Sequence, residues 1–139
     1  MKKLLLIVVG AVLLAAAYGI YLYNKPSKSA ASEDVFAIVT AQNIYAEFLN
    51  NPEESAKKYL NKNLEVSGAV DSFSQDSTGS KCVLVTNAPD MGVVSISFLE
   101  NTQTLQVGQN IVIRGLCAGY LADDLLGGNL QLKQAILVQ

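Results

Sequence analysis

Histidine and tryptophan are absent from this chain of 139 residues, cysteine occurs only twice, and only 16% of the residues are charged. The absence of histidine excludes Ser/His/Asp and Cys/His catalysis, imidazole-bound metal centres and a histidine pH switch. No glycine-rich phosphate loop follows a predicted strand, and no pair of carboxylates sits in a recognisable catalytic motif. The length allows one modest domain. We therefore expect a protein that is not an enzyme and that uses no cofactor and no bound metal.

Residues 4–23 contain no charged residue, which accounts for part of the scarcity of charge. A helix of that length, at about 1.5 Å per residue, spans roughly 30 Å, the thickness of the hydrocarbon core of a bilayer. Lys2 and Lys3 precede the run and favour a cytoplasmic N-terminus, and three tyrosines at its other end suit the headgroup level. The sequence predicts a single-pass transmembrane anchor over residues 1–23, in the bacterial inner membrane. The rest of the chain is then periplasmic or extracytoplasmic.

A cleaved secretory signal is the alternative interpretation of the same run. Ala15, Ala16 and Ala17 supply the small residues that a signal peptidase requires, but the apolar run continues beyond them. No cysteine lies near its end, which excludes a lipoprotein anchor for this chain. Residues 24–32 are polar and rich in serine, which predicts a flexible linker. We prefer a retained anchor, and both interpretations place the remaining domain outside the cytoplasm.

The predicted domain, residues 33–139, is acidic and begins with two helices. Six lysines and arginines stand against twelve acidic residues. Apolar residues at helical spacing predict a first helix over residues 33–49, with Ser32 as its N-cap. Asn51 and Pro52 predict the start of a second, shorter helix. We expect both helices to cover one side of a β-sheet.

Beyond Asn63 the apolar residues alternate with period two, which is typical of strands. Polar or glycine-containing turns separate five such segments. We predict strands over residues 64–73, 81–86, 92–98, 110–117 and 130–138. Short strands separated by polar turns predict a mainly β (α+β) domain built as a small closed barrel.

Several segments resemble an extracytoplasmic family called tRNA-anticodon-binding-like (tRNA_anti-like), whose members share the OB-fold. The resemblance covers residues 37–138 and is carried by AKKY (56–59), LNK (60–62), LEVSGAV (64–70) and VGQNIVIRGLCAG (107–119). It implies a five-stranded OB-fold barrel, here preceded by two short helices and the transmembrane helix. The family's label implies a shared shape and not a tRNA partner. Many members carry a lipoprotein cysteine that this chain lacks.

OB barrels often bind ligands across neighbouring strands and the loops beside them. By that analogy we predict a ligand-binding mouth formed by residues 71–80 and 119–128. The candidate binding residues are Phe73, Lys81, Tyr120, Leu121, Asp123, Asp124 and Leu125. The two adjacent aspartates fit a solvated turn better than a calcium site, because their spacing matches no calcium loop.

Leu121, Leu125 and Leu126 make the loop before the last strand unusually apolar. Either these leucines plug one end of the barrel, the interpretation that we prefer, or they form an apolar lip for a peptide, a lipid or a partner protein. Cys82 and Cys117 form either a disulfide, which the exported compartment permits, or two buried free thiols. We favour the thiols, because the two cysteines flank opposite ends of the first barrel strand.

These observations favour a membrane-tethered, non-catalytic binding or interaction module of unknown ligand, with an envelope protein or peptide as its partner. A single-stranded nucleic-acid-binding OB protein is the alternative. Such binding needs cations along the phosphate track and aromatic rings for base stacking, whereas this domain carries an excess of acids. We therefore do not expect nucleic acid to be the partner.

Overall fold

The chain begins with a long apolar helix. The computed structural model describes residues 1–24 and 34–139, and helix α1 runs from Lys2 to Asn24. Its segment Leu6–Asn24 is long and apolar enough to cross a membrane, and none of it is buried inside the protein. The predicted N-cap Ser32 and, apart from Asn24, the predicted linker lie outside the described residues. The helix has the position and length of the predicted anchor.

The first described element after α1 is a strand and not the predicted helix. Strand β1 (Ala37–Thr40) lies parallel to the first barrel strand, and helix α2 (Ala41–Asn50) begins only after it. The prediction of one helix over residues 33–49 is therefore wrong for its first half. Three consecutive β-branched residues, 38–40, favour an extended backbone there. Thr40 is the N-cap of α2, because its hydroxyl accepts a hydrogen bond from the Asn43 N–H at 3.2 Å.

Helix α3 (Pro52–Tyr59) forms as predicted. The Asn51 side chain accepts a hydrogen bond from the Glu54 N–H at 3.4 Å, and Pro52 occupies the first turn. Together α2 and α3 bury three aromatic side chains: Tyr45, Phe48 and Tyr59. The two helices are thus joined to the rest of the domain by large apolar contacts.

Five strands close into a barrel. They are β2 (Asn63–Asp76), β3 (Gly79–Leu84), β4 (Val93–Phe98), β5 (Asn110–Leu121) and β6 (Asn129–Leu137). Their order is β2-β3-β4-β6-β5, and β5 pairs with β2 to complete the circle. Strand β2 pairs with β5 through residues 63–69 and with β3 through residues 70–76, so it serves both sides of the barrel. The predicted mainly β, five-stranded OB-fold is confirmed.

The alternating apolar residues of the strands fill the barrel. Leu64, Val66, Ile113, Leu130 and Leu132 are fully buried. Leu105, in the irregular segment between β4 and β5, is also buried, although no periodicity indicates it. Strand β5 continues four residues beyond its predicted end, which brings Tyr120 into the sheet.

Candidate binding surface at the leucine loop

The two halves of the predicted mouth lie at opposite ends of the barrel. Strand β4 shows this, because Ser97 near its end pairs with Lys81, whereas its first residue, Val93, pairs with Asn129 at the start of β6. Phe73 and Lys81 therefore belong to the β2–β3 hairpin at one end, and the β5–β6 loop lies at the other. The prediction of a single mouth is wrong because β2 and β5 run in opposite directions, so the loops that follow them leave opposite ends.

The other predicted residues remain together at the β5–β6 loop. They are Tyr120, Leu121, Asp123, Asp124 and Leu125. We call residues 121–126 the leucine loop. Its leucines Leu121, Leu125 and Leu126 are 60%, 88% and 77% exposed, so the preferred prediction that they plug the barrel is wrong. The alternative prediction, an exposed apolar lip, describes their placement.

Aromatic rings close this end of the barrel in place of the leucines. Phe48 of α2 stacks on Tyr120 with 5.6 Å between ring centroids, and Tyr45 meets the same ring edge-on at 5.9 Å. Tyr59 of α3 packs on Phe48 at 6.0 Å. The helices thus supply the apolar volume that closes a small barrel, and the leucines are not needed for it.

Asp123 fixes the backbone of the leucine loop. Its Oδ1 accepts hydrogen bonds from the N–H groups of Leu125 at 2.8 Å and Leu126 at 3.0 Å. The Leu126 bond, followed by the Leu125 bond, lowers the pKa of the Asp123 carboxyl below its usual value, because both donors favour the charged form. This carboxylate holds the turn that presents the two leucines. Within residues 1–24 and 34–139, no group of three or more acids or cysteines is placed to hold a metal ion.

Asp90 joins three parts of the chain beneath the loop. Its Oδ2 accepts a hydrogen bond from the Tyr45 hydroxyl at 2.6 Å and another from the Gly128 N–H at 3.3 Å, while its Oδ1 accepts one from the Gly92 N–H at 3.2 Å. The Tyr45 hydroxyl is the main cause that lowers the pKa of Asp90. Burial, followed by the bond to Asp90, raises the pKa of Tyr45. The sequence indicates the turn before β4 but not the contact between Tyr45 and Asp90.

The adjacent glycines Gly127 and Gly128 allow the loop to approach this cluster. Gly127 has a φ of +78°, a conformation that side-chain-bearing residues rarely adopt. A Cβ on Gly128 would overlap the Tyr120 hydroxyl, and a Cβ on Gly127 would overlap the Asp90 carbonyl oxygen. The loop is therefore packed down at its C-terminal end and exposed in its leucine-bearing part.

A groove of about 430 Å³ lies beside the leucine loop. Apolar side chains from three segments line it, namely Leu49, Met91 and Leu125, and Asp123 and Asp124 stand at its edge. Met91 is 76% exposed and was not among the predicted site residues. The arrangement can receive apolar side chains, and its acidic edge favours neighbouring cations. We name Met91, Leu125, Leu126 and Asp124 as the central residues of this surface.

The outer face of β3 and β4, where OB proteins often bind single strands, lacks the groups for that task. Its outward residues include Lys81, Val83, Ser95 and Ser97, which alternate with buried ones, and the remaining two, Gly79 and Val93, are neither cationic nor aromatic. Phe73 is partly buried and packs against the core. This face therefore offers one lysine and no aromatic ring among those four residues.

A second concavity, of about 610 Å³, lies between the start of α2 and strands β2 and β5. Its polar lining side chains, which carry no formal charge, are Thr40, Gln42, Ser67, Asn87, Asn110 and Gln139. None of its lining side chains is aromatic. It offers no ring for base stacking and no cationic side chain for phosphate.

Both cysteines are buried free thiols. Burial raises the pKa of Cys82 and of Cys117 to about 11 in each case, because the apolar core disfavours a thiolate. The disulfide that the sequence left open is therefore absent from the structure, and neither thiol is set up as a nucleophile.

The closed barrel with its helical cap defines an OB-fold domain. A family model described as tRNA_anti-like matches residues 1–129, and the chain belongs to this family. A similar solved structure is the crystal structure named "putative nucleic acid-binding lipoprotein" from Klebsiella pneumoniae subsp. pneumoniae MGH 78578, with 16% sequence identity and a TM-score of 0.54. The match covers 73% of this chain and 91% of that one, and it shows the shared fold. No curated protein matches.

Proposed function

We propose that the chain is a membrane-anchored, non-catalytic binding module whose leucine loop holds a basic, apolar peptide segment of an envelope protein. The observation that carries this proposal is the exposure of Leu125 and Leu126 on a loop fixed by Asp123. Adjacent exposed apolar side chains that form a continuous patch often mark an interaction site, and loops on a rigid scaffold are common binding sites.

Charge favours a basic partner. Asp124 and Asp123 flank the groove, and residues 34–139 carry eleven acids against six cations. An anionic partner would be repelled over about a Debye length, roughly 8–10 Å, whereas a lysine- or arginine-bearing segment would be attracted. The partner that fits the surface therefore presents apolar side chains with cations beside them.

The anchor is α1. Its apolar segment suits a bilayer, and Lys2 and Lys3 before it favour a cytoplasmic N-terminus. The barrel then lies on the outer side of the bacterial inner membrane. Tethering raises the effective concentration of the leucine loop toward partners in the same envelope, so a weak contact suffices.

The absence of catalysis is part of the proposal. Asp90 and Asp123, two of the acids at the candidate surface, are already engaged in structural hydrogen bonds. Neither cysteine is accessible or activated. The two aspartates position the loop, and we infer no paired acid and base beside the groove.

Single-stranded nucleic-acid binding remains the second candidate, favoured by the name of the Klebsiella structure. The acidic balance of the domain and the one-lysine face of β3 and β4 oppose it. A labelled single-stranded oligonucleotide should show no binding to the full chain at low salt. Binding that weakens as salt is added would favour the second candidate and overturn the first.

Two synthetic probe peptides test the proposed partner chemistry. Both have the same length and leucine pattern, one with lysine and one with glutamate at the polar positions, and each is titrated against the full chain in zwitterionic nanodiscs by fluorescence anisotropy. The lysine peptide should bind saturably, Leu125→Ser/Leu126→Ser should abolish binding, and Asp124→Asn should weaken it. Val107→Ser removes an exposed apolar residue (73%) elsewhere and should leave binding unchanged. Equal binding to wild type and the leucine variant would contradict the proposal.

A further inference from the structure

A second exposed apolar surface lies on β1, the first described element after the anchor. Phe36, which immediately precedes β1, is 52% exposed, and Ile38 is 76% exposed. The Phe36 N–H donates to the Asn63 carbonyl oxygen at 2.8 Å and continues the pairing of β1 with β2, and residues two apart on an extended backbone point to the same side. Phe36 is the twelfth residue after Asn24 at the end of α1, which limits the distance between the two residues to about 40 Å. This surface is therefore held near the membrane that α1 is proposed to cross.

One lysine lies over the exposed ring of Phe36, and a second lies over the Tyr59 ring that Phe36 contacts. The Lys62 Nζ lies 5.5 Å from the Phe36 ring centroid, and the Lys58 Nζ lies 4.6 Å from the Tyr59 ring, which in turn meets Phe36 edge-on at 6.4 Å. We call Phe36, Ile38, Lys58 and Lys62 the β1 patch. Its apolar and cationic side chains contrast with the acidic edge of the leucine loop.

The acids beside the β1 patch are largely matched by cations. Glu47 pairs with Lys58 at 3.1 Å, and Glu65, which lies next to Ile38 in the sheet, pairs with Arg114 at 2.9 Å. Glu33 and Asp34 precede the patch, and Lys25 and Lys28 stand in the segment that leads to it. Because Glu47 already holds Lys58, Lys62 is the lysine of the β1 patch that can meet an anionic headgroup. With the residues just named, five cations stand against four acids, so this region does not share the acidic excess of the whole domain.

From this geometry we propose that the β1 patch docks on the anionic lipid surface of the membrane that holds the anchor. The inference rests on the membrane anchorage in the proposed function. An aromatic ring and an aliphatic side chain can enter the interface, and neighbouring lysines are attracted to anionic headgroups. Docking would orient the barrel on the bilayer and leave it less free than a tether alone allows.

The absence of tryptophan from the chain allows a direct test. Ile38→Trp places a reporter in the patch, and Ser77→Trp places a matched reporter at the exposed tip of the β2–β3 hairpin. Each full-length variant is reconstituted in phosphatidylcholine vesicles with and without phosphatidylglycerol. The Ile38→Trp emission should shift to the blue and be quenched by brominated lipids when phosphatidylglycerol is present, whereas Ser77→Trp should stay solvent-like.

Charge removal provides the second arm. In the Ile38→Trp background, Lys62→Gln should reduce the blue shift, whereas Lys81→Gln, the same change on β3, should not. Phe36→Trp repeats the measurement at a second site should Ile38→Trp fail to fold by circular dichroism. If the chain floats with the vesicles but the tryptophan emission stays solvent-like, the docking is wrong and the anchor is not. A chain that does not float with vesicles would instead overturn the anchor, and the docking with it.

Discussion

Tyr45 and Asp90 are far apart in the sequence, yet one short hydrogen bond between them joins helix α2 to the turn before β4. The same carboxylate receives the Gly128 N–H and so holds the end of the leucine loop. Sequence patterns indicate that a tyrosine is buried or that an aspartate lies in a turn, but they do not show which tyrosine bonds to which aspartate. This contact depends on how the helix crosses the barrel, which only the folded chain determines.

The pH dependence of the free energy of unfolding tests whether the Asp90 carboxylate stabilises the fold. Its folded pKa is lowered from the ordinary value of 3.8, so its contribution is fully present above that value and lost as the pH falls through the folded pKa. Asp90→Asn should lower the free energy of unfolding near neutral pH and flatten its fall in acid. Tyr45→Phe, which removes the main cause of the shift, should act in the same direction. Urea unfolding of the full chain in detergent micelles at several pH values checks this, and unchanged acid sensitivity in both variants would contradict it.

The two thiols should resist alkylation. Because Cys82 and Cys117 are buried and burial raises the pKa of each to about 11, iodoacetamide near neutral pH should modify neither in the folded chain and both after denaturation. Intact-mass measurement, without reductant, distinguishes the states. If the denatured chain takes up no iodoacetamide until a reductant is added, the two cysteines form a disulfide, which would contradict the structure.

At the scale of the elements, the sequence predicts the barrel strands well and the first element poorly. Period-two alternation survives in strands with one buried face, as in Val94, Ile96 and Phe98 of β4. Apolar residues recur at helical spacing over residues 35–48, yet residues 37–40 form a strand. The spacing is misleading there because Ile38, which fits the helical pattern, is exposed and does not belong to the core. Pairing of β1 with β2 is a long-range contact that no local pattern indicates.

The N-cap of α2 tests the revised boundary. Thr40→Ala removes the hydroxyl that accepts the Asn43 N–H, and we expect it to cost about 1 kcal/mol of unfolding free energy. Thr104→Ala makes the same change at an exposed site outside the helices and strands and serves as the control. Chemical denaturation of both variants measures the difference. Equal stability of the two would place the start of the helix elsewhere.

The sequence shows that the leucine loop is apolar, but composition alone does not show whether its leucines face the barrel or the solvent. An apolar loop can close a barrel or face a partner, and the choice depends on whether other side chains already fill the end, as Phe48 and Tyr120 do here. Met91 joins the surface from a different loop, and no spacing in the sequence indicates that meeting.

Stability measurements separate the two roles of a leucine. Leu125→Ser/Leu126→Ser should change the free energy of unfolding by less than about 0.5 kcal/mol per site, as expected for exposed residues. Leu132→Ala, in the neighbouring strand β6 and fully buried, should cost about 2–5 kcal/mol. Thermal or urea unfolding compares them. A large loss in the loop variant would mean that these leucines do close the barrel.

At the scale of the whole molecule, an apolar helix, an acidic barrel and an exposed apolar loop combine in one short chain. The composition of the whole chain conceals the acidity of the barrel, because four lysines lie within the first 28 residues. The apolar helix and the fold class could be predicted from the sequence, since both follow from length and periodicity. The sequence does not supply the partner, since that depends on which side chains the fold leaves uncovered.

Crosslinking in intact cells tests the central claim most directly. A photoreactive amino acid replaces Leu125 in the full chain, and a matched chain carries it at Ser77 on the opposite end of the barrel. We expect the Leu125 position to crosslink one recurrent envelope protein, through a segment rich in apolar and basic residues, and Leu126→Ser to reduce the yield. Crosslinks at both positions alike, to nucleic acid or to cytoplasmic proteins, would contradict it.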